Sequence, residues 1–190
     1  MGKVRMGPQA FIYPTPTLLV GANVDGKPNF LAVAWGGIAN STPPMVSVAL
    51  QRHRYTNKGI KQNGVFSVNI PSVDLLRETD YCGIVSGAKV NKVEACKFTI
   101  FYGKLEGAPL IEQCPINLEC EVVHTLGLGS HELIIGKIDE THVTEACLSD
   151  GKPDVTKVKP FIFTTGTRQY YGFGEVIAKA FSIGRELEEG

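Results

Sequence analysis

Excess charge is the first thing this chain lacks: 19 basic residues stand against 19 acidic ones, and only 20% of positions are charged. The basic residues are also scattered, which leaves no electrostatic footprint for a phosphate backbone, and nucleic acid is not expected as a partner. Long apolar runs are missing too. Phe30–Ala39 (FLAVAWGGIA) is about half of what a bilayer span requires, and the opening MGKVRMGPQAF has no apolar signal core. A cytoplasmic protein that does not engage the membrane is expected. Met6 stands where an N-myristoylation signal needs Ser or Thr.

Paired cysteine is absent as well. Cys82, Cys96, Cys114, Cys120 and Cys147 are odd in number, widely spaced and contain no C-x-x-C pair. That pattern argues against a disulfide framework and a zinc knuckle, and favours free thiols in a reducing compartment with no metal site. Enzyme signatures are scarce in the same way. GLGSHE at Gly127 lacks the third glycine of a dinucleotide fingerprint and lies between two strands. HELII at His131 has Ile135 where a zinc protease carries its second histidine, and neither G-x-S-x-G nor G-x-x-x-x-G-K-[ST] occurs.

What is present is a chain of 190 residues, 43% of them hydrophobic. That length buries roughly 70% of its unfolded surface without staples, and a single domain over 1–190 is expected. Thr17–Leu50 reads as a β-meander with turns at Asp25-Gly26 and Pro43-Pro44. TNKGIKQNG from Thr56 reads as a short helix ended by Gly64, and VFSVNI from Val65 returns to strand with Phe66, Val68 and Ile70 on one face. A helix is expected from Val73 to Gly87, and two long strands from Ile116 and His131 around a Gly-rich connection. PFIFTT from Pro160 reads as the last strand, and EVIAKAFSIGRELEE from Glu175 as a C-terminal helix with Ala178, Phe181 and Leu187 on its apolar stripe. The expected class is mainly β with helices (α+β), an antiparallel barrel decorated by helices.

QRHRYTNK, Gln51–Lys58, carries the densest chemistry. Thr56 can cap the helix, free first-turn N–H groups can face an anion, and Arg52, Arg54 or Lys58 can supply charge. An ordinary capped surface loop is the alternative reading. Just upstream, Val46, Val48 and Leu50 alternate with Met45, Ser47 and Ala49, so one face of that strand is small and admits a flat ring. The preceding strand, NFLAVAWGG, adds Ala32, Ala34, Gly36 and Gly37 around Trp35. Trp35 reads equally as a packing residue.

The series NFLAVAW, STPPMVSVAL, RYTNKGI with VFSVNI, SGAKVNK, GSHELIIGKI and QYYGFGEVI, in this order, resembles the flavin reductase-like FMN-binding split-barrel family, and within it the flavoredoxin-like branch. The likeness runs from about Phe11 to Phe181. It implies a six-stranded Greek-key split barrel with a helical insertion, a homodimer, and one non-covalent FMN per subunit near the dimer interface. By motif, Asn29, Leu31, Ala32, Val33, Ala34 and Trp35, with Val48, Ala49 and Leu50, would hold the isoalloxazine ring, largely through backbone groups. Arg54, Tyr55, Thr56, Ser86 and Lys92 would hold the ribityl phosphate; SGAKVNK alone reads Lys92 as a solvated surface lysine. His131 stands where this family brings an imidazole near flavin and nicotinamide. Its GSH replaces the GDH common among reductases, which leaves a catalytic and a structural role equally open.

The flavin does the redox step, and the protein positions it. The resemblance implies an electron carrier between a donor and an acceptor redox protein. An NAD(P)H:flavin oxidoreductase and a non-redox flavin-binding barrel are the alternatives, so enzymatic turnover stays open.

Overall fold

A computed structural model describes residues 2–187. The chain opens with β1 (Thr15–Pro16), β2 (Leu18–Val24) and β3 (Lys27–Val33), then β4 (Gly36–Ser41) and β5 (Pro44–Gln51). Helix α1 (Tyr55–Asn63) leads into β6 (Val65–Ile70). An insertion follows, containing α2 (Leu76–Ile84), α3 (Lys92–Ala95) and the small hairpin β7 (Ile100–Phe101) and β8 (Leu110–Ile111). The long strands are β9 (Ile116–Leu128) and β10 (His131–Val143). A short hairpin, β11 (Leu148–Ser149) and β12 (Lys152–Pro153), precedes α4 (Val155–Val158), β13 (Phe161–Thr164) and β14 (Gln169–Gly172).

Among the described residues the main sheet has seven strands, not the six expected, in the order β3-β2-β6-β9-β10-β5-β4, because the stretch NFLAVAWGG is divided between β3 and β4. Its two edge strands, β3 and β4, are separated in sequence only by Ala34 and Trp35. The sheet therefore curls back towards itself, and the Ala49 N–H donates to the Trp35 carbonyl at 2.8 Å, carrying the β4–β5 pairing one step into the link. That is a split barrel: hydrogen-bonded around most of its circumference and open along one side. NFLAVAWGG, read as one strand, is broken at Ala34–Trp35 because the chain must pass there from one edge to the other.

Period-two alternation fills the interior. Val46, Val48 and Leu50 of β5 meet Leu18, Val20, Leu31, Phe66, Val68 and Ile134 in one buried cluster, with Ile60 of α1 closing an end. The opposite face of β2 and β3 presents Leu19 and Phe30 to the insertion, where they pack with Cys82, Phe98, Ile111 and Cys114. All five cysteines are free thiols. Burial pushes Cys82 up to about 12 and also raises Cys114 and Cys120, so these behave as apolar side chains.

Helix α1 ends as expected at Gly64, whose φ of 67° favours glycine. Other expectations are corrected. Thr56 is not the cap of α1: Arg54 occupies that position without a side-chain cap bond, and Thr56 lies inside the first turn. The helix expected over Val73–Gly87 becomes a 3-10 turn at Val73–Leu75, capped by Ser72, followed by α2. It stops at Ile84 because Val85 turns extended to begin a loop packed on Asn29 and Tyr55. PFIFTT is followed by β14, which pairs with β13 in a small sheet ordered β1-β13-β14. The C-terminal helix from Glu175 is replaced by irregular chain and a 3-10 turn at Ile183–Leu187. A φ of 57° at Phe181 interrupts any helix there, and the intended stripe finds no surface among the described residues to bury against. The end of that expected helix, from residue 188, lies outside the described residues. No helix among the described residues is long and apolar enough to cross a membrane.

Candidate functional site

The seam of the barrel opens a cleft of about 310 Å³. One wall is the end of β3 and the link after it: Leu31, Ala32, Val33, Ala34 and Trp35. Ala49, Leu50 and Gln51 of β5 form the second wall, and His131 and Phe163 complete it. Small side chains leave main chain at the surface, which suits a flat ring held by backbone groups. His131 is brought there by register: it opens β10 opposite Gln51, the last residue of β5. Its ring stacks on Trp35, with centroids 4.5 Å apart and planes at 29°. Its Nδ1 is hydrogen-bonded to the Ser130 hydroxyl at 2.8 Å. The serine of GSH thus holds one edge of the imidazole.

A second space of about 140 Å³ adjoins the cleft, and Leu31 and Arg54 line both. It is bounded by Tyr55 and Thr56 at the start of α1 and by Ser86, Gly87 and Lys92 of the insertion. A Cβ at Gly87 would overlap the Asn29 side-chain amide, so only glycine lets this loop approach β3. Lys92 is 3% exposed, and its Nζ donates to the carbonyls of Phe30 and Cys82, each at 2.8 Å. An ammonium has three N–H donors, which leaves one for a ligand. Burial holds the Lys92 amine below the ordinary lysine range, and the nearby Arg54 cation acts in the same direction. Arg54 itself donates to the Gly83 carbonyl at 3.1 Å. Two cations converge on a pocket with no carboxylate in its lining. Together with the uncapped N-terminus of α1, this is an arrangement for an anion.

The structure therefore separates the expected residues into two adjoining groups. Leu31, Ala32, Val33, Ala34, Trp35, Ala49, Leu50 and His131 face the ring cleft; Arg54 sits at the junction; Tyr55, Thr56, Ser86 and Lys92 face the anion pocket. Two fall elsewhere. Val48 is fully buried in the barrel core, since alternation points its side chain inward. Asn29 is on the anion side, where its Nδ2 donates to the Thr56 hydroxyl at 2.7 Å. Arg52 and Lys58 do not line either space, and Lys58 pairs with Asp25 at 2.6 Å. Sequence reasoning missed Gln51, Phe163, His53, Ile84, Val85 and Gly87. Gln51 and His53 lie in the QRHRYTNK stretch and Gly87 in SGAK, whereas Phe163, Ile84 and Val85 carried no signal.

The split-barrel fold that carries this cleft and pocket is shared with known proteins. Residues 10–169 match the flavin reductase like domain. The chain belongs to this family. Among solved structures of the family's fold, flavoredoxin from Methanosarcina acetivorans superposes with a TM-score of 0.94 at 41% identity, covering 98% of this chain and 100% of that one. Flavoredoxin of Desulfovibrio vulgaris (Miyazaki F) gives 0.90 at 39% identity, covering 96% and 100%. A protein of Archaeoglobus fulgidus is 38% identical over 146 residues, 76% of this chain and 81% of its own. The flavin reductase-like assignment thus rests on nearly the full length of the chain.

Proposed function

We propose that residues 1–190 act as one domain that holds FMN non-covalently and carries electrons between redox proteins. The single observation behind this reading is the junction at Arg54, where a ring cleft of about 310 Å³ runs into a carboxylate-free pocket holding buried Lys92. A flavin without phosphate would leave those cations unmatched. FMN, when bound, supplies reversible hydride and electron chemistry. The chain's own residues bind and orient: Lys92, Arg54 and the first turn of α1 neutralise the phosphate, and the backbone of Leu31–Trp35 and Ala49–Leu50 lines the ring. Similarity to two flavoredoxins supports the carrier over an enzyme. The free cysteines fit a cytoplasmic setting. Half-exposed Trp35, Tyr171 and Phe173 support a homodimer.

A second reading, NAD(P)H:flavin oxidoreductase, is favoured by one feature, the His131–Trp35 stack beside the ring cleft. An imidazole placed there can hold or release a proton next to a reacting ring.

The purified protein is expected to be yellow, to bleach with dithionite and to recover colour in air. Slow bleaching by NADH and NADPH is expected of a carrier, whereas turnover at many flavin equivalents per second would establish the reductase. A colourless protein that takes up no added FMN removes both readings.

A further inference from the structure

The segment beyond β14 takes no part in the site and is the most exposed apolar stretch of the molecule. Residues 173–187 leave β14 without a strand partner among the described residues. Ile177 is 100% exposed and Phe181 98%, with Val176 and Leu187 nearly as open. Apolar side chains at this density normally find a partner surface.

A receptor of matching character lies on the same chain. A groove of about 310 Å³ is lined by Ala10, Ile12, Pro14, Thr15 and Pro16, and by the Ala34–Gly36 link. It shares Ala34 and Trp35 with the ring cleft. Strand order sets groove and segment at opposite edges of one sheet. The groove includes β1, at one edge of the sheet β1-β13-β14, whereas the segment departs from β14 at the opposite edge, about 10 Å away at normal strand spacing. The segment does not turn back, since its side chains stay exposed and none of them lines the groove. A donor at one edge and an acceptor at the other are satisfied together by two-fold pairing, in which each copy fills its partner. Most of the segment has a counterpart in a related chain. The flavoredoxin crystal structure from Methanosarcina acetivorans matches 98% of this chain, and the unmatched remainder is shorter than the segment.

We propose that residues 173–187 are an exchanged arm that seats Ile177 and Phe181 of one copy in the Trp35 groove of a second copy. This rests on the homodimer put forward above and adds what the partner contributes. Trp35 walls both groove and ring cleft, so each flavin site is buttressed by the other copy's arm.

The test uses the full-length chain with Phe181→p-benzoylphenylalanine, irradiated after purification. A covalent dimer is expected, with cross-linked peptides joining residue 181 to residues 10–16 or 34–36. In parallel, the Ile177→Ser, Phe181→Ser double variant is expected to weaken self-association at least tenfold in sedimentation equilibrium, with an unchanged far-ultraviolet circular dichroism spectrum. A monomeric parent protein overturns the homodimer and the arm together. A dimeric parent overturns the arm alone if its cross-links fall within one chain or outside the groove, or if the double variant associates as tightly as the parent.

Discussion

The ring cleft is walled by main chain, small side chains and one stacked Trp35–His131 pair, whereas the anion pocket beside it is built on a lysine that is 3% exposed and an arginine at the start of a helix. Contacts to a ring are spread over many atoms, each worth little. Charge in the pocket is concentrated on two side chains, one of them desolvated in advance. The cleft is therefore tolerant of single substitutions, and the pocket is not.

The largest expected effect is on the pocket. Lys92→Met is expected to weaken FMN binding by about 1–3 kcal/mol, the scale of a charge-assisted hydrogen bond, and to change riboflavin binding far less. Thermal stability is expected to fall as well, because the Phe30 and Cys82 carbonyls lose their donor. Titrating both flavins into parent and variant checks this. Equal losses for FMN and riboflavin would erase the contrast between the halves and leave Lys92 as a support for the fold.

The same lysine predicts a pH dependence of at most that size. Its folded-state pKa is depressed, chiefly by burial. As pH rises, the ammonium of the empty site is lost before an ordinary lysine titrates near about 10.4, and FMN must then bind against that loss. FMN affinity is thus expected to decline on the alkaline side ahead of that point, with riboflavin flat over the same range. The apoprotein fold moves the other way: between the depressed pKa and about 10.4 the unfolded chain binds more protons, so stability rises with pH. An FMN affinity that stays level to the ordinary lysine range would show that the phosphate does not meet this ammonium.

The smallest effect belongs to the cleft. Trp35→Ala removes a stacking wall and is expected to cost FMN and riboflavin the same amount, about 0.5–1.5 kcal/mol. Fluorescence titration with the two flavins measures it. A loss confined to FMN would mean that Trp35 acts on the phosphate side, against its place between the cleft and the apolar groove.

Legibility followed the same division. The small face of β5 was readable because strand alternation has a period of two: Val46, Val48 and Leu50 had to share a side, and the core took them. That same rule turns the side chains of both Val48 and Leu50 inward, so either meets a ring only through its main chain. Lys92 was opaque. Its local text suits a surface lysine, and only the packing of α3 against β3 and α2 buries it between two carbonyls. Thr56 misled for a related reason: helix α1 begins at Tyr55, so the hydroxyl falls inside the first turn and accepts from Asn29 instead of capping. Phe163 gave no signal, since its β13 sheet is brought to the cleft by chain from the far end of the sequence.

The sequence by itself determined the local pieces: the alternating strands, the Gly64 stop, the absence of paired cysteines and the order of motifs that marks the family. These depend on neighbours a few residues apart, where backbone geometry acts directly. Only the tertiary structure decided that β3 and β4, joined through Ala34 and Trp35, become the two edges of one curled sheet, that Arg54 rather than Arg52 or Lys58 turns inward, and that the C-terminal segment forgoes a helix. Each of these depends on a surface supplied by residues far along the chain, and an apolar stripe with nothing to bury against does not hold a helix in water.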